Sequence, residues 1–352
     1  DSARRLGKSL GLLAAVAAGA LLTVLAVYAP VTEGMNRDDQ KEVIREKVGL
    51  QGRAPDLAGK IAAVADVSAP LAHYLGGLAS VVRQNAVGGG VTFLDGRIST
   101  DGFPQYFFVA YAVKSTLAFL AVTLAIFAAL AVRRRGLGEE ARLFLVPVAV
   151  LFLASIGTTY NIGIRHLLPV YPFLALAGAG LFARAWERRR EGGRARFAAA
   201  VWLALPALSA VETARIHPFE LSYFNPLAGG PVAGARILSD SNVDWGLDLR
   251  RLAAELKKRG VADPTVAYFG GDNVSYRLGV PDFSAVPAVR SRFVAISAFL
   301  LAAGPEFYAY HGLTPLAEAL RGLQREIAAA GRPVGRVGYS IYLFELPRGG
   351  GP

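Results

Sequence analysis

Residues 161–172 read NIGIRHLLPVYP and set Arg165 and His166 at the joint between two apolar runs, 143–160 and 167–185. A helix crosses a bilayer with about 20 apolar residues, so each run is close to the length of a span. A charged side chain at such a joint is a functional candidate, because placing it in hydrocarbon costs on the order of a few kcal/mol. What it meets depends on the side of the membrane it faces, and the charge distribution addresses that.

The chain has 352 residues, 53% of them hydrophobic and 18% charged, and a formal net charge of +11. Soluble chains carry about 25% charged residues, so this composition leans towards a membrane. Residues 1–9, 133–142 and 187–196 together hold twelve Lys and Arg against five acids. Segments 30–105 and 216–352 hold 22 against 21. The excess sits in short connectors between apolar runs, as the positive-inside rule requires. A nucleic-acid partner would want it gathered along a groove or stripe instead, and none is expected. The chain has no cysteine, which excludes disulfides, thiolate metal sites and cysteine nucleophiles.

Five spans follow, at 10–29, 106–132, 143–160, 167–185 and 197–214, the last with Pro206 inside. Residues 4–29 also share features with a secretory leader, having Arg4 and Arg5, an apolar core and small residues near Ala29. The four later runs favour a first span. The basic connectors, Arg133–Arg135 among them, orient every span consistently and put the Arg165–His166 corner on the outer face. Segment 30–105 is then an outer loop. Asp38 to Lys47 reads as a solvated helix face. Leu71, Tyr74, Leu75, Leu78 and Val82 form an interfacial amphipathic helix that ends at Gly88-Gly89-Gly90.

Residues 215–352 change character. Leu249, Leu252 and Leu256 mark a helix closed by Gly260. A second has Thr314 as cap, Pro315 in its first turn and an apolar face of Leu316, Leu320, Leu323 and Ile327. Strands are predicted at 265–269, 293–297 and 337–346. Helices alternating with short strands argue for a small α/β domain outside the membrane. The fold class is therefore an α-helical polytopic membrane protein with a C-terminal extracytoplasmic α/β domain. Its divisions are residues 1–29, 30–105, 106–214 and 215–352.

An arginine suits a phosphate through paired hydrogen bonds, whereas the plain alternative makes Arg165 an interfacial anchor and His166 a joint residue. Lys114 lies roughly 12 Å into its span at helical rise, and either snorkels to the headgroups or joins Arg165. His73, His217 and His311 have no partner at metal-ligand spacing, and no metal motif or nucleophile elbow occurs. No metal or other cofactor is expected within this chain. In Ser239 to Leu249, SDSNVDWGLDL, one reading has Asn242 or Asp244 capping the next helix with Trp245 packed on the core. The other has Asp240, Asn242, Asp244 and Trp245 contacting an acceptor or the membrane face.

Four pieces occur in order: FLDGRISTDGFPQYFFVAYAVKSTL from Phe93, NIGIRHLLPVYPFL from Asn161, ELSYFNPLAGGP with SDSNVDWGLDLRRL from Glu220, and VGYSIYLFEL from Val337. In these the chain resembles bacterial membrane glycosyltransferases of family 39, relatives of protein O-mannosyltransferases and aminoarabinose transferases, which have the GT-C fold. The resemblance implies transfer of a sugar from a polyprenyl-phosphate donor to an acceptor glycan, lipid or protein at the outer face of the cytoplasmic membrane. It implies that Arg165 and His166, with Lys114, lie near the carrier's phosphate. The family's catalytic carboxylate lies in a first outer loop that no residue here matches, Asp38 and Asp39 included. The sequence accordingly reads as the C-terminal portion of a longer enzyme, inactive by itself. The family's Lys-Thr-Pro is Lys114-Ser115-Thr116 here, without the proline, and its aromatic run is reduced to residues 103–107. Two other classes remain open. One is a membrane-anchored binding or assembly module. The other is a transporter, which would want broken helices in matching halves.

Overall fold

The computed structural model describes residues 2–49, 55–87, 90–132, 139–289 and 291–347. It is mostly helical with a small sheet region, and divides into two compact units, Asp1–Val87 and Gly88–Pro352. Gly88, Gly89 and the Arg133–Arg135 connector lie outside the described residues.

The first unit holds α1 (Ser2–Thr32), α2 (Arg37–Gly49), α3 (Pro55–Ala63) and α4 (Ala69–Val87). Asp38 and Asp39 occupy the first turn of α2, where carboxylates complement the helix dipole. The opposite face of α2 is buried: Ile44 and Val48 pack with Ala58, Ala62 and Ala72. Asp38 and Asp39 are exposed, as expected of a solvated helix face, and the helix is amphipathic. In α4, Leu75 and Ala79 join that cluster, while Tyr74, Leu78, Val81 and Val82 are exposed.

The second unit opens with a hairpin of β1 (Thr92–Leu94) and β2 (Arg97–Ser99). Asp95 and Gly96 turn it with positive φ of 50° and 73°, as a two-residue hairpin loop demands. Then come α5 (Tyr106–Lys114), α6 (Leu117–Val132), α7 (Glu139–Ile156), α8 (Val170–Glu187), α9 (Gly193–Ile216) and the short α10 (Gly230–Gly234). The uninterrupted helix expected over 106–132 is broken at Ser115, whose backbone is extended. Side chains stabilise both new ends. Asn225 Nδ2 donates to the Ala112 and Ser115 carbonyls at 2.7 and 2.9 Å, satisfying acceptors that a helix end orphans. Thr116 Oγ1 accepts from Phe119 N at 3.2 Å and Glu212 Oε2 from Leu117 N at 3.2 Å, capping α6. By contrast, α9 continues through Pro206.

Two helical stretches, Leu10–Thr32 and Gly193–Ile216, have the length and hydropathy to cross a membrane; Ala69–Val82, Leu117–Val132 and Leu143–Ile156 are shorter apolar helices. Residues of α5 to α8 share one core with Phe224, Leu238 and Val243.

The remainder is α11 (Leu249–Arg259), β3 (Thr265–Ala267), α12 (Val274–Leu278), β4 (Phe293–Ser297), α13 (Ala298–Tyr310), α14 (Thr314–Ala330), β5 (Arg332–Val337) and β6 (Ile341–Glu345). The sheet order is β3-β4-β6-β5, with β3 parallel to β4 and the other pairs antiparallel. β4 alternates between two cores. Phe293 and Ala295 face Leu249, Leu252 and Leu256 of α11; Val294 and Ile296 face Phe299, Leu320 and Leu323 of α13 and α14. That period of two, covered by helices on both faces, makes a three-layer α/β/α unit. Each buried leucine contributes about 1.5–3 kcal/mol. Three details differ from the sequence reading. The run 337–346 is the end of β5, a turn and β6, because Gly338 at φ 56° reverses the chain. Leu313 rather than Thr314 stands at the N-cap of α14. The residue before α11 is Asp248, so neither Asn242 nor Asp244 caps that helix.

Candidate functional site

The corner at 161–167 is held from two sides. Asn161 is buried, accepts from Phe103 N at 2.6 Å and donates to the Thr158 carbonyl at 3.2 Å. Gly163 has φ 137°, and a Cβ there would lie 2.6 Å from Ser241 Oγ, so only glycine lets the two segments touch. The Ser241 hydroxyl donates to the Ile162 carbonyl, and Ile164 N donates to Asn242 Oδ1 at 3.1 Å. Leu167 then sinks into the core, leaving Arg165 and His166 exposed on a single 3-10 turn.

The 239–245 segment lies against this turn. Asn242 is fully buried and serves as its hub. Its Nδ2 donates to the Tyr106 hydroxyl at 2.8 Å and the Ser239 carbonyl at 3.1 Å. Its own carbonyl accepts from Lys114 Nζ at 2.6 Å. Lys114 also donates to the Leu221 carbonyl at 2.7 Å and sits 4.4 Å from the Phe224 ring centre. Its Nζ therefore braces the end of α5 to two distant loops. Trp245, expected on the core under the capping reading, is 50% exposed. The Arg165 guanidinium lies 4.8 Å from its ring centre. At an exposed site such a stack stabilises by about 0.5–1 kcal/mol, enough to bias the arginine's direction.

The charges here are shifted by burial. Asp240, in a left-handed conformation with φ 55°, is pushed up to about 6 by burial, against the lowering effects of the Ser241 N–H and Arg165. Asp244 is pushed up to about 7 by burial, with Gly246 N donating to Oδ1 at 3.0 Å. Oδ2 has no hydrogen-bond partner among the described residues; the Ser297 hydroxyl favours its charged form from nearby. Partial desolvation of the ring first, and Arg165 second, hold His166 below the ordinary histidine range although the residue remains exposed. That ring sits 5.9 Å from both Phe107 and Tyr160. A neutral imidazole beside a permanent cation can accept or donate a hydrogen bond while the arginine supplies charge.

Lys114, Arg165, His166, Asp240, Asn242, Asp244 and Trp245 are thus brought to one place, with Asn242 rather than a cation at its centre. Asn161, Asn225 and Asp248 also hold the site and its surroundings together. Asp248 accepts from Arg251 Nη1 at 2.6 Å and Ser340 Oγ at 2.7 Å, and a Cβ at Gly338 would collide with its carboxylate. The Asn225-Pro226 pair carried a readable turn signal; the other two lie among residues that look like ordinary loop polarity. His217 has an acidic partner after all, with Nδ1 2.5 Å from Glu220 Oε1. Among the described residues no group of three or more His, Asp or Glu side chains is placed to hold a metal.

No protein-family model, curated protein or solved structure matches this chain.

Proposed function

We propose that the chain is the C-terminal portion of a polytopic membrane glycosyltransferase that uses a polyprenyl-phosphate sugar donor. In this reading the apolar helices cross the cytoplasmic membrane, with the Arg165 corner and the α/β/α unit on its outer face. Arg165 meets the carrier's phosphate, and the His166 ring completes the contact by a hydrogen bond. As the glycosidic bond breaks, a fixed cation stabilises the charge gathering on the departing phosphate. Lys114 acts one step back, holding the 239–245 segment and therefore Trp245 against the arginine. Asp240 and Trp245 form the wall an acceptor approaches.

The observation that supports this most is the meeting at Asn242 of three segments far apart in sequence. Each belongs to a piece carrying the family resemblance, and the contact leaves one exposed arginine aligned on an aromatic face. The test is sugar transfer by the full-length protein in proteoliposomes supplied with labelled polyprenyl-phosphate sugar. Arg165→Gln should lower kcat/KM for the donor by roughly 10- to 100-fold, the worth of about 1.5–3 kcal/mol for a hydrogen bond to a charged group. Transfer that is unchanged in Arg165→Gln, or absent from the wild type, contradicts the proposal.

A further inference from the structure

The ends of α6, α8 and α9 remote from the Arg165 corner enclose an open recess of about 530 Å³. Arg184, Arg188 and Arg194 line it with Glu191, and Trp202 forms part of its floor. Arg188 and Arg194 are exposed and have no ion pair among the described residues. α9 starts here, and its N-cap, Gly192, offers no side-chain cap to the first N–H groups. Among the described residues, the unpaired guanidiniums of Arg188 and Arg194 and a helix N-terminus stand against one lining carboxylate, Glu191, an arrangement that favours an anion.

Trp202 also lines a second groove of about 480 Å³, set between the same three helices. Its walls are apolar, with Phe119, Val122, Phe182, Leu205 and Pro206 among them. Small residues open it, and Gly178 allows α8 close to α6: a Cβ there would lie 2.5 Å from Val122 Cγ1. A basic recess and an apolar groove that share Trp202 in their walls have between them the polarity of a single lipid molecule.

We propose that this composite groove binds one anionic phospholipid of the cytoplasmic leaflet. The phosphodiester sits between Arg188 and Arg194, and an acyl chain lies along the groove beyond Trp202. The assignment rests on the membrane topology proposed above, which makes this the cytoplasmic end. Charge complementarity selects the occupant, since basic pockets between membrane helices on that side favour anionic headgroups. Arg189 provides an internal contrast. It donates to the Trp186 carbonyl at 2.6 Å and stacks 4.1 Å from the Trp186 ring centre, outside the recess.

The test uses the full chain reconstituted in nanodiscs of equal phosphatidylglycerol and phosphatidylcholine, then extracted and stepwise delipidated, with retained lipids quantified by mass spectrometry. Wild type should retain phosphatidylglycerol over phosphatidylcholine by roughly tenfold, as paired charge-assisted bonds to a phosphate would give. The double variant Arg188→Gln/Arg194→Gln should return that ratio to the bulk value with its thermal midpoint unchanged, while Arg189→Gln should keep it. Ala179→Phe, which obstructs the apolar groove and leaves the arginines intact, should also lower retention. Millimolar glycerol phosphate should not displace the lipid. Equal retention by wild type and the double variant overturns the proposal, as does an equal loss in Arg189→Gln, displacement by glycerol phosphate, or recovery of a polyprenyl phosphate in place of the phospholipid. Wild type recovered from the aqueous fraction without detergent would sink the membrane topology as well. Membrane-embedded protein without headgroup preference would sink this inference alone.

Discussion

Lys114 Nζ donates to the main-chain oxygen of Asn242 at 2.6 Å, across 128 residues of sequence. That bond and its companion to Leu221 tie the end of α5 to the loops that present Trp245 to Arg165. Lys114→Met should therefore lower stability before it touches donor binding. The two stranded carbonyls cost about 1–3 kcal/mol each when buried without a partner. Thermal unfolding in detergent reads this directly. An unchanged midpoint with a raised KM for the donor would return Lys114 to the phosphate.

Gly163→Ala confronts both an unfavourable φ of 137° and contact with Ser241 Oγ. A loss of about 1–3 kcal/mol is expected from backbone strain of this kind. Gly180, whose Cβ position is open, serves as the control, and Gly180→Ala should be neutral or stabilising. Equal midpoints for the two variants would show that the corner tolerates a side chain.

Asp244 gives the fold a pH dependence of definite sign. Its folded-state value of about 7 lies above the ordinary 3.8, so between pH 4 and 7 the folded state holds a proton that the unfolded state has lost. Stability from this group is full below pH 4 and declines as pH rises to 7. Over pH 5 to 8 the decline is on the order of 2–3 kcal/mol at 1.36 kcal/mol per unit. Asp244→Asn should flatten that slope and match or exceed wild type at pH 8. A variant with the wild-type slope would place the titration elsewhere.

Much of this was legible in the sequence, and the rest fails for identifiable reasons. The leucines of α11 and its closing Gly260, at φ 67°, are local features, and local features read well. The same holds for β4, whose five residues are all buried. The interruption at Ser115 has no glycine or proline to announce it; it is stabilised by Asn225 and Glu212, about a hundred residues away. Asn242 looked like a helix cap because caps are the commonest use of Asn beside a helix, whereas its partners come from α5 and the Arg165 corner. Within 337–346 the apolar pattern runs on through a turn. The Arg–His pair stood out because charge is conspicuous between apolar runs; the glycine and asparagine that hold it did not.

The absence of cysteine makes topology accessible. Two single substitutions, Arg190→Cys and Glu326→Cys, both at exposed, charged positions, should differ towards a membrane-impermeant maleimide applied to intact cells. The Glu326→Cys variant should label, and the Arg190→Cys variant should not until the membrane is permeabilised. The reverse pattern would put the Arg165 corner inside the cell and remove the donor from its reach.

If Arg165 meets a lipid phosphate, the Kd of polyprenyl monophosphate for the detergent-solubilised full-length protein depends on it. Arg165→Gln should raise that Kd by roughly 10- to 100-fold, in line with about 1.5–3 kcal/mol for a charged hydrogen bond. Arg189→Gln, which alters an arginine already stacked on Trp186, should leave it alone. Equal Kd values for wild type and Arg165→Gln would take the phosphate away from Arg165 and leave the arginine as an anchor resting on Trp245.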